Sequence, residues 1–251
     1  MKSLVVANWK MNPPSFKEAK RLFAATKKAA ESAKHTTVIV APPAIFLREL
    51  SSAYRGKRIS FALQNAHSEA GGAYTGEISL AQATDAGAAY VVIGHAERRA
   101  AGETNEDTRK KVAAALAMKI TPILCVGESS RNHEGAHFAL VKEQLRAGLS
   151  DVEPSGMKNL VVVYEPLWTI GAEKAMSPRD MHEMAIFIRK SVMELKGGTG
   201  MNTKILYGGS INESNVADML RNGDVHGLLV GRASEDGEKF SALLQAIEHI
   251  A

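Results

Sequence analysis

Eight short apolar runs recur along the chain, at residues 4–7, 38–41, 59–63, 89–93, 120–126, 160–164, 204–207 and 227–230. Most are continuous rather than alternating, as in parallel strands buried on both faces. Between them, or after the last, apolar residues return at helical spacing, over residues 15–32, 105–119, 178–196 and 238–250. Ser177-Pro178 offers a cap followed by proline at a first helical position, and Gly197-Gly198 stops the same helix. Eight strand–helix units in 251 residues predict an α/β fold, a (β/α)8 barrel forming one domain over residues 1–251. A doubly wound open sheet is the alternative, but no Gly-x-Gly-x-x-Gly turn follows the first strand.

Composition narrows the partners. Hydrophobic residues are 45% and charged residues 23%, which excludes disorder for the bulk of the chain. With 31 Lys+Arg against 27 Asp+Glu, the net charge of +4 is a weak field for this length. Lys27-Lys28 and Arg109-Lys110-Lys111 sit in helical patterns and read as solvated faces, so no nucleic acid partner is expected; a small anionic substrate suits the balance. Cys125 is the only cysteine, which excludes an intrachain disulfide and a cysteine-based zinc cluster. The run Leu4 to Ala7 is too short for a signal-peptide core, and no stretch reaches the ~18 apolar residues of a membrane helix. The expectation is a cytoplasmic protein with no membrane partner.

The catalytic face of a barrel is built by the loops that follow its strands. Asn8 and Lys10 follow the first, Gln64 and Asn65 the third, and Gly94, His95 and Glu97 the fourth. Glu165 follows the sixth, Gly208-Gly209-Ser210 the seventh and Gly231 the eighth. Singly, each has a plain structural reading. Lys10 can be surface charge, His95 a hydrogen-bonded structural residue, and Glu165 before Pro166 a strand terminator. Glu97 and Arg98 can be ion-pairing residues, and the glycines ordinary helix entries. Their convergence on one rim favours chemistry. A carboxylate beside Ile170 and Leu229 would be a stronger base, because desolvation disfavours its charged form. Lysine and histidine opposite it can polarise a carbonyl, and glycine amides at helix starts attract an anion. The set describes proton abstraction next to the carbonyl of a phosphorylated sugar, with no cofactor and no metal.

Six segments carry a resemblance that covers nearly the whole chain: Asn8-Trp9-Lys10-Met11-Asn12, Gln64-Asn65, Tyr74-Thr75-Gly76-Glu77, Gly94-His95-Ala96-Glu97-Arg98-Arg99, Tyr164-Glu165-Pro166-Leu167-Trp168 and Tyr207-Gly208-Gly209-Ser210. In this order and at these strands, the chain resembles the triosephosphate isomerases. The resemblance implies interconversion of glyceraldehyde 3-phosphate and dihydroxyacetone phosphate through an enediolate, a step of glycolysis and gluconeogenesis. It implies Glu165 as the base, Lys10 and His95 as electrophiles with Asn8 beside them, and Glu97 as a residue orienting Lys10 or relaying protons. Gly171, Ser210, Gly231 and Arg232 would give backbone amides to the phosphate. Residues 166–176 would form a closing lid that includes Ile170, Glu173 and Met176, latched by Tyr207 and Ser210, with Leu229 against the base. A homodimer is implied too, with Thr75 reaching the neighbouring copy near Asn12 and Lys10, and Glu77 close to Arg98.

Four positions depart from the family pattern. Ala96 stands where serine is usual, Glu173 replaces a glycine, Met176 an alanine, and Arg232 the second glycine of the turn after strand eight. Glu173 is expected to make the closed lid less favoured, since glutamate occupies glycine's backbone angles only with strain. Other readings compete. His133-Glu134-Gly135-Ala136-His137 matches a zinc-peptidase string, although Gly135 weakens the helix that this site needs. A non-catalytic phosphosugar binder and an isomerase acting on a phosphorylated tetrose are the remaining alternatives. A Schiff-base aldolase is disfavoured by Glu165 where that chemistry needs lysine.

Overall fold

The structure is a computed structural model that describes residues 2–131, 134–169 and 175–250. Its first half runs β1 (Ser3–Asn8), α1 (Phe16–Ser32), β2 (Thr36–Ala41), α2 (Ala44–Ala53), β3 (Ile59–Leu63), α3 (Leu80–Asp85), β4 (Tyr90–Ile93), α4 (Ala96–Ala100) and α5 (Asn105–Ala117). The second half runs β5 (Thr121–Val126), α6 (Ala136–Leu149), β6 (Val161–Tyr164), α7 (Pro178–Lys196), β7 (Lys204–Tyr207), α8 (Val216–Asn222), β8 (Gly227–Val230) and α9 (Gly237–Glu248). The strands pair in chain order, all parallel, and β8 returns to β1 through Leu4 opposite Gly227. The sheet is a closed (β/α)8 barrel, as the apolar runs predict.

Boundaries move where backbone bonding overrides side-chain character. Ile120 and Leu160 are apolar and buried, yet their N–H groups bond back to Ala115 and Met157 rather than into the ladder. β5 and β6 therefore start one residue later than the apolar runs. Ser15 caps α1 by accepting from the Glu18 N–H at 3.3 Å, so that helix begins at Phe16. Lys119 adopts a left-handed φ of 58° just beyond α5, and the helix stops at Ala117. The short helices α3 and α4 have too few turns for periodicity to reveal them, although Ser79 and Gln82 form a legible capping box for α3.

Strand alternation divides the apolar residues into two cores. Leu4, Val6, Ile39, Val92, Ile123, Cys125, Val161, Val163, Leu206 and Leu229 fill the barrel interior. Their neighbours in sequence, such as Val5, Val91, Leu124, Val162 and Tyr207, pack outward with the helices. This period of two positions the chemistry. Continuing the inward register one step brings Asn8 above Val6, Glu165 above Val163, Gly208 above Leu206 and Gly231 above Leu229. Four strand ends thus project polar residues or open backbone onto one mouth.

The opposite end of the barrel carries a pH-sensitive contact. His226 precedes β8, and its Nδ1 accepts from the Ile205 N–H at 3.1 Å. Burial, then the Arg189 charge, pushes this imidazole below its ordinary 6.5, and burial does the same to His137 on α6. The folded state binds fewer protons than the unfolded state as pH falls past that value. The stabilisation is complete above it and is lost as pH falls through the depressed folded value. The urea midpoint is therefore expected to be lower at about pH 5.5 than at about pH 7.5, with a smaller difference in His226→Gln. Equal differences in wild type and variant would contradict this.

Candidate active site

Lys10 sits on a corner held from both sides. The Asn8 side chain accepts from the Lys10 N–H at 3.1 Å, while Gln64 Nε2 donates to the carbonyls of Lys10 at 2.8 Å and Ala41 at 2.9 Å. Lys10 needs this grip because its φ is +51°, a conformation that costs a lysine about 1–3 kcal/mol. The result aims its ammonium at the Glu97 carboxylate, 2.6 Å away. Glu97 is 57% exposed, so the pair orients Lys10 more than it stabilises the fold.

His95 is the N-cap of α4, and its Nδ1 accepts from the Glu97 N–H at 3.2 Å. An accepting Nδ1 carries no proton, which makes the ring the neutral tautomer with N–H at Nε2. That Nε2 lies 3.3 Å from Oε1 of Glu165. The Glu165 side chain is 2% exposed. Its Oε2 accepts from the Ala96 N–H at 3.1 Å, whereas buried Oε1 faces His95. The backbone amide thus positions the carboxylate without the serine hydroxyl that alanine lacks. Beneath it lies Cys125, whose thiol is pushed well up by burial and then by the Glu165 charge.

Glycine opens the space around this carboxylate. A Cβ on Gly127 would overlap the Glu165 backbone carbonyl, and one on Gly208 would stand 2.8 Å from Glu165 Cγ. Gln144 fixes the Gly127 peptide by accepting from its N–H at 2.8 Å and donating to its carbonyl at 3.0 Å. The resulting cavity has a volume of about 360 Å³. Lys10, His95 and Glu165 form one wall, and Leu229, Gly208, Gly209, Ser210, Gly231 and Arg232 continue it. Gly208-Gly209 does not open a helix as expected, because α8 begins only at Val216. Gly231 does precede a turn of 3-10 helix, Arg232–Glu235.

The end of β5 holds a cluster that the sequence reading passed over. Glu128 is 1% exposed and accepts from Tyr164 Oη at 2.7 Å, Trp168 Nε1 at 3.0 Å and Arg131 Nε at 3.0 Å. Arg131 also donates to Tyr164 Oη at 2.8 Å and lies 5.6 Å over the Trp168 ring. Four residues thereby lock the segment just after Glu165. Glu128 stands two residues past the end of β5, the same signal that singled out other strand ends. On the far side, Met176 is buried, and its N–H donates to Tyr207 Oη at 3.3 Å. Ile170, Gly171 and Glu173 lie outside the described residues.

Thr75, Glu77 and Arg98 are exposed, away from the cavity. The Tyr74 ring stacks on His67 at 4.0 Å and remains 45% exposed. In the zinc-peptidase string, His133 lies outside the described residues, while His137 stacks on Phe138 at 4.1 Å. Among the described residues no group of three His, Cys, Asp or Glu is arranged to hold a metal ion.

Comparison with known proteins agrees with this architecture. The family model for triosephosphate isomerase matches residues 3–247. A triosephosphate isomerase of Endomicrobium trichonymphae is 40% identical over 246 residues, covering 97% of this chain and 98% of that protein. One from Aquifex aeolicus is 37% identical, with 97% and 99% covered, and one from Moorella thermoacetica 38%, with 96% and 97% covered. A match over nearly all of both chains, at this identity, means that the chain belongs to the triosephosphate isomerase family.

Proposed function

We propose that the chain interconverts glyceraldehyde 3-phosphate and dihydroxyacetone phosphate by proton transfer through an enediolate. The observation that carries this reading is the buried Glu165 carboxylate, whose Oε1 lies 3.3 Å from His95 Nε2 in a cavity shared with Lys10. Glu165 Oε1 takes the proton from the carbon next to the carbonyl. The C–H electron pair forms the new C=C bond, and the carbonyl π pair moves onto oxygen. His95 Nε2–H and the Lys10 ammonium, with Asn8 holding its turn, stabilise that oxygen. Glu97 orients Lys10. Glu165 then returns the proton to the neighbouring carbon, while His95 gives its Nε2 proton to the oxyanion and takes the proton of the other oxygen, so that the new carbonyl forms and both side chains are regenerated. The phosphate lies against the backbone of Ser210, Gly231 and Arg232, with Gly171 as a further amide donor. These proton transfers need only side chains, and no cofactor is part of the proposal.

Incubating dihydroxyacetone phosphate with the protein in heavy water is expected to give glyceraldehyde 3-phosphate with deuterium at C2. Failure to turn over, or faster turnover of erythrulose phosphate, would overturn the assignment.

We further propose that the chain acts as a homodimer in the cytoplasm. Met11 is 93% exposed, Ile45 79% and Tyr74 45%, an apolar set on the loop-bearing rim that a second copy would cover. Thr75 would enter the second copy near its Asn12 and Lys10, with Glu77 approaching Arg98. Among the described residues no helix is long and apolar enough to cross a membrane. Light scattering is expected to give the mass of two 26.9 kDa chains. A fully active species with the mass of one chain would defeat the dimer.

A further inference from the structure

Beyond Gly231 the cavity continues outward between two loops. Asn212 and Glu213 line one side, Arg232 and Lys239 the other. Arg232 opens the 3-10 turn after Gly231, and Lys239 stands in the first turn of α9. Asp236 fixes that turn by accepting from the backbone N–H groups of Glu238 at 2.9 Å and Lys239 at 3.1 Å. Both side chains are exposed, and neither head group has a hydrogen-bond or ion-pair partner among the described residues.

The other cations of the site are committed. Lys10 is paired with Glu97, and Arg99 donates to the Gly94 carbonyl at 2.9 Å and to Asn105 at 2.8 Å. The carboxylate that acts on Arg232, Glu235, also feels Lys10 and accepts from Asn12 Nδ2 at 3.0 Å. With Lys10 neutralised by Glu97, the outer part of the cavity wall carries two cations, Arg232 and Lys239, and one carboxylate, Glu213. The surplus positive charge is at the outer end. A concave wall excludes part of the screening solvent, so charge there acts on an anion more strongly than on an open surface.

We propose that Arg232 and Lys239 form a side-chain anion-recognition element at the outer end of the catalytic cavity, which sets affinity for the phosphodianion of the substrate. The inference rests on the isomerase reading for the identity of that dianion, although anion binding itself can be measured without turnover. Backbone amides contribute partial charges, whereas these two side chains add full ones. Arg232 can also present two parallel donors to phosphate oxygens.

The test is calorimetric titration of the full-length protein with inorganic phosphate, alongside KM and kcat for the triose phosphate. The variants are Arg232→Gln, Arg232→Gly, Lys239→Gln and the double Arg232→Gln/Lys239→Gln. Lys158→Gln serves as a charge-matched control, because Lys158 precedes β6 and lies at the opposite end of the barrel. Each single variant is expected to weaken phosphate about 3–10-fold and raise KM in parallel, with the loss carried by KM rather than kcat. The gap to wild type should shrink as the Debye length falls from about 30 Å at 0.01 M salt to about 8 Å at 0.15 M. Unchanged phosphate affinity in the double variant, or an equal loss in Lys158→Gln, would overturn the proposal. If wild type binds phosphate through these residues yet does not isomerise the triose, the isomerase reading fails and the anion element stands.

Discussion

Replacing Glu165 by glutamine is expected to lower kcat by about 10²–10⁴-fold, or about 3–5 kcal/mol of transition-state stabilisation, with little change in KM. The substitution keeps the shape of the side chain, and its carbonyl oxygen can still accept from the Ala96 N–H that holds Oε2 at 3.1 Å. What it removes is the basic oxygen, the atom that lies 3.3 Å from His95 Nε2. An amide there cannot take a proton from carbon, so the loss falls on the chemical step. Binding is expected to survive because the wall proposed to hold the phosphate, from Ser210 to Arg232, is untouched. The measurement is steady-state turnover in protein purified from a host without its own isomerase. A variant within tenfold of wild type would remove Glu165 from the proposed mechanism.

The sequence made the barrel legible because its strands are short and nearly uniform, buried on both faces and separated by recognisable caps such as Ser177-Pro178. The inward rim was legible for the same reason. Residues 4, 6 and 8 share a face, as do 161, 163 and 165, so the polar residue ending each series had to point into the mouth. Charge pairing was less accessible. Glu128 and Arg131 are only three apart, but their joint hold on Tyr164 and Trp168 depends on β5 lying beside β6. Lys239 showed only as a charge in a helix, because the direction of an exposed side chain is set by the turn that precedes it. Gly127 looked like any loop glycine, and its need for a bare backbone appears only where Glu165 crosses it.

The largest stability loss is expected from Lys111→Met, which leaves a buried carboxylate behind His95 without its cation. Lys111 on α5 is paired with Glu103, and its Nζ donates to the Asn65 side chain at 2.9 Å. The Glu103 side chain is 1% exposed, and its second oxygen accepts from the Gly94 N–H at 3.0 Å. That peptide leads directly into His95, and Gly94 holds a φ of +73° with little room for another geometry. The pair therefore joins stability to site placement. In wild type, the cost of burying two charges is offset by their attraction and by the amide and Asn65 contacts. Methionine fills the space of the lysine stem but returns nothing to Glu103, and breaking a buried pair from one side costs about 3–5 kcal/mol. For a domain of this size the melting temperature should fall by about 6–20 °C. Turnover should fall as well, since an unpaired Glu103 can recover hydration only by pulling on the Gly94 turn. Glu103→Gln/Lys111→Met is expected to regain much of the stability, because an amide oxygen can still accept from Gly94 while no charge remains buried. Denaturant unfolding of both variants, with kcat measured on each, checks the coupling. A Lys111→Met protein within about 1 kcal/mol of wild type would show that water already reaches Glu103 and that the pair does not anchor the His95 turn.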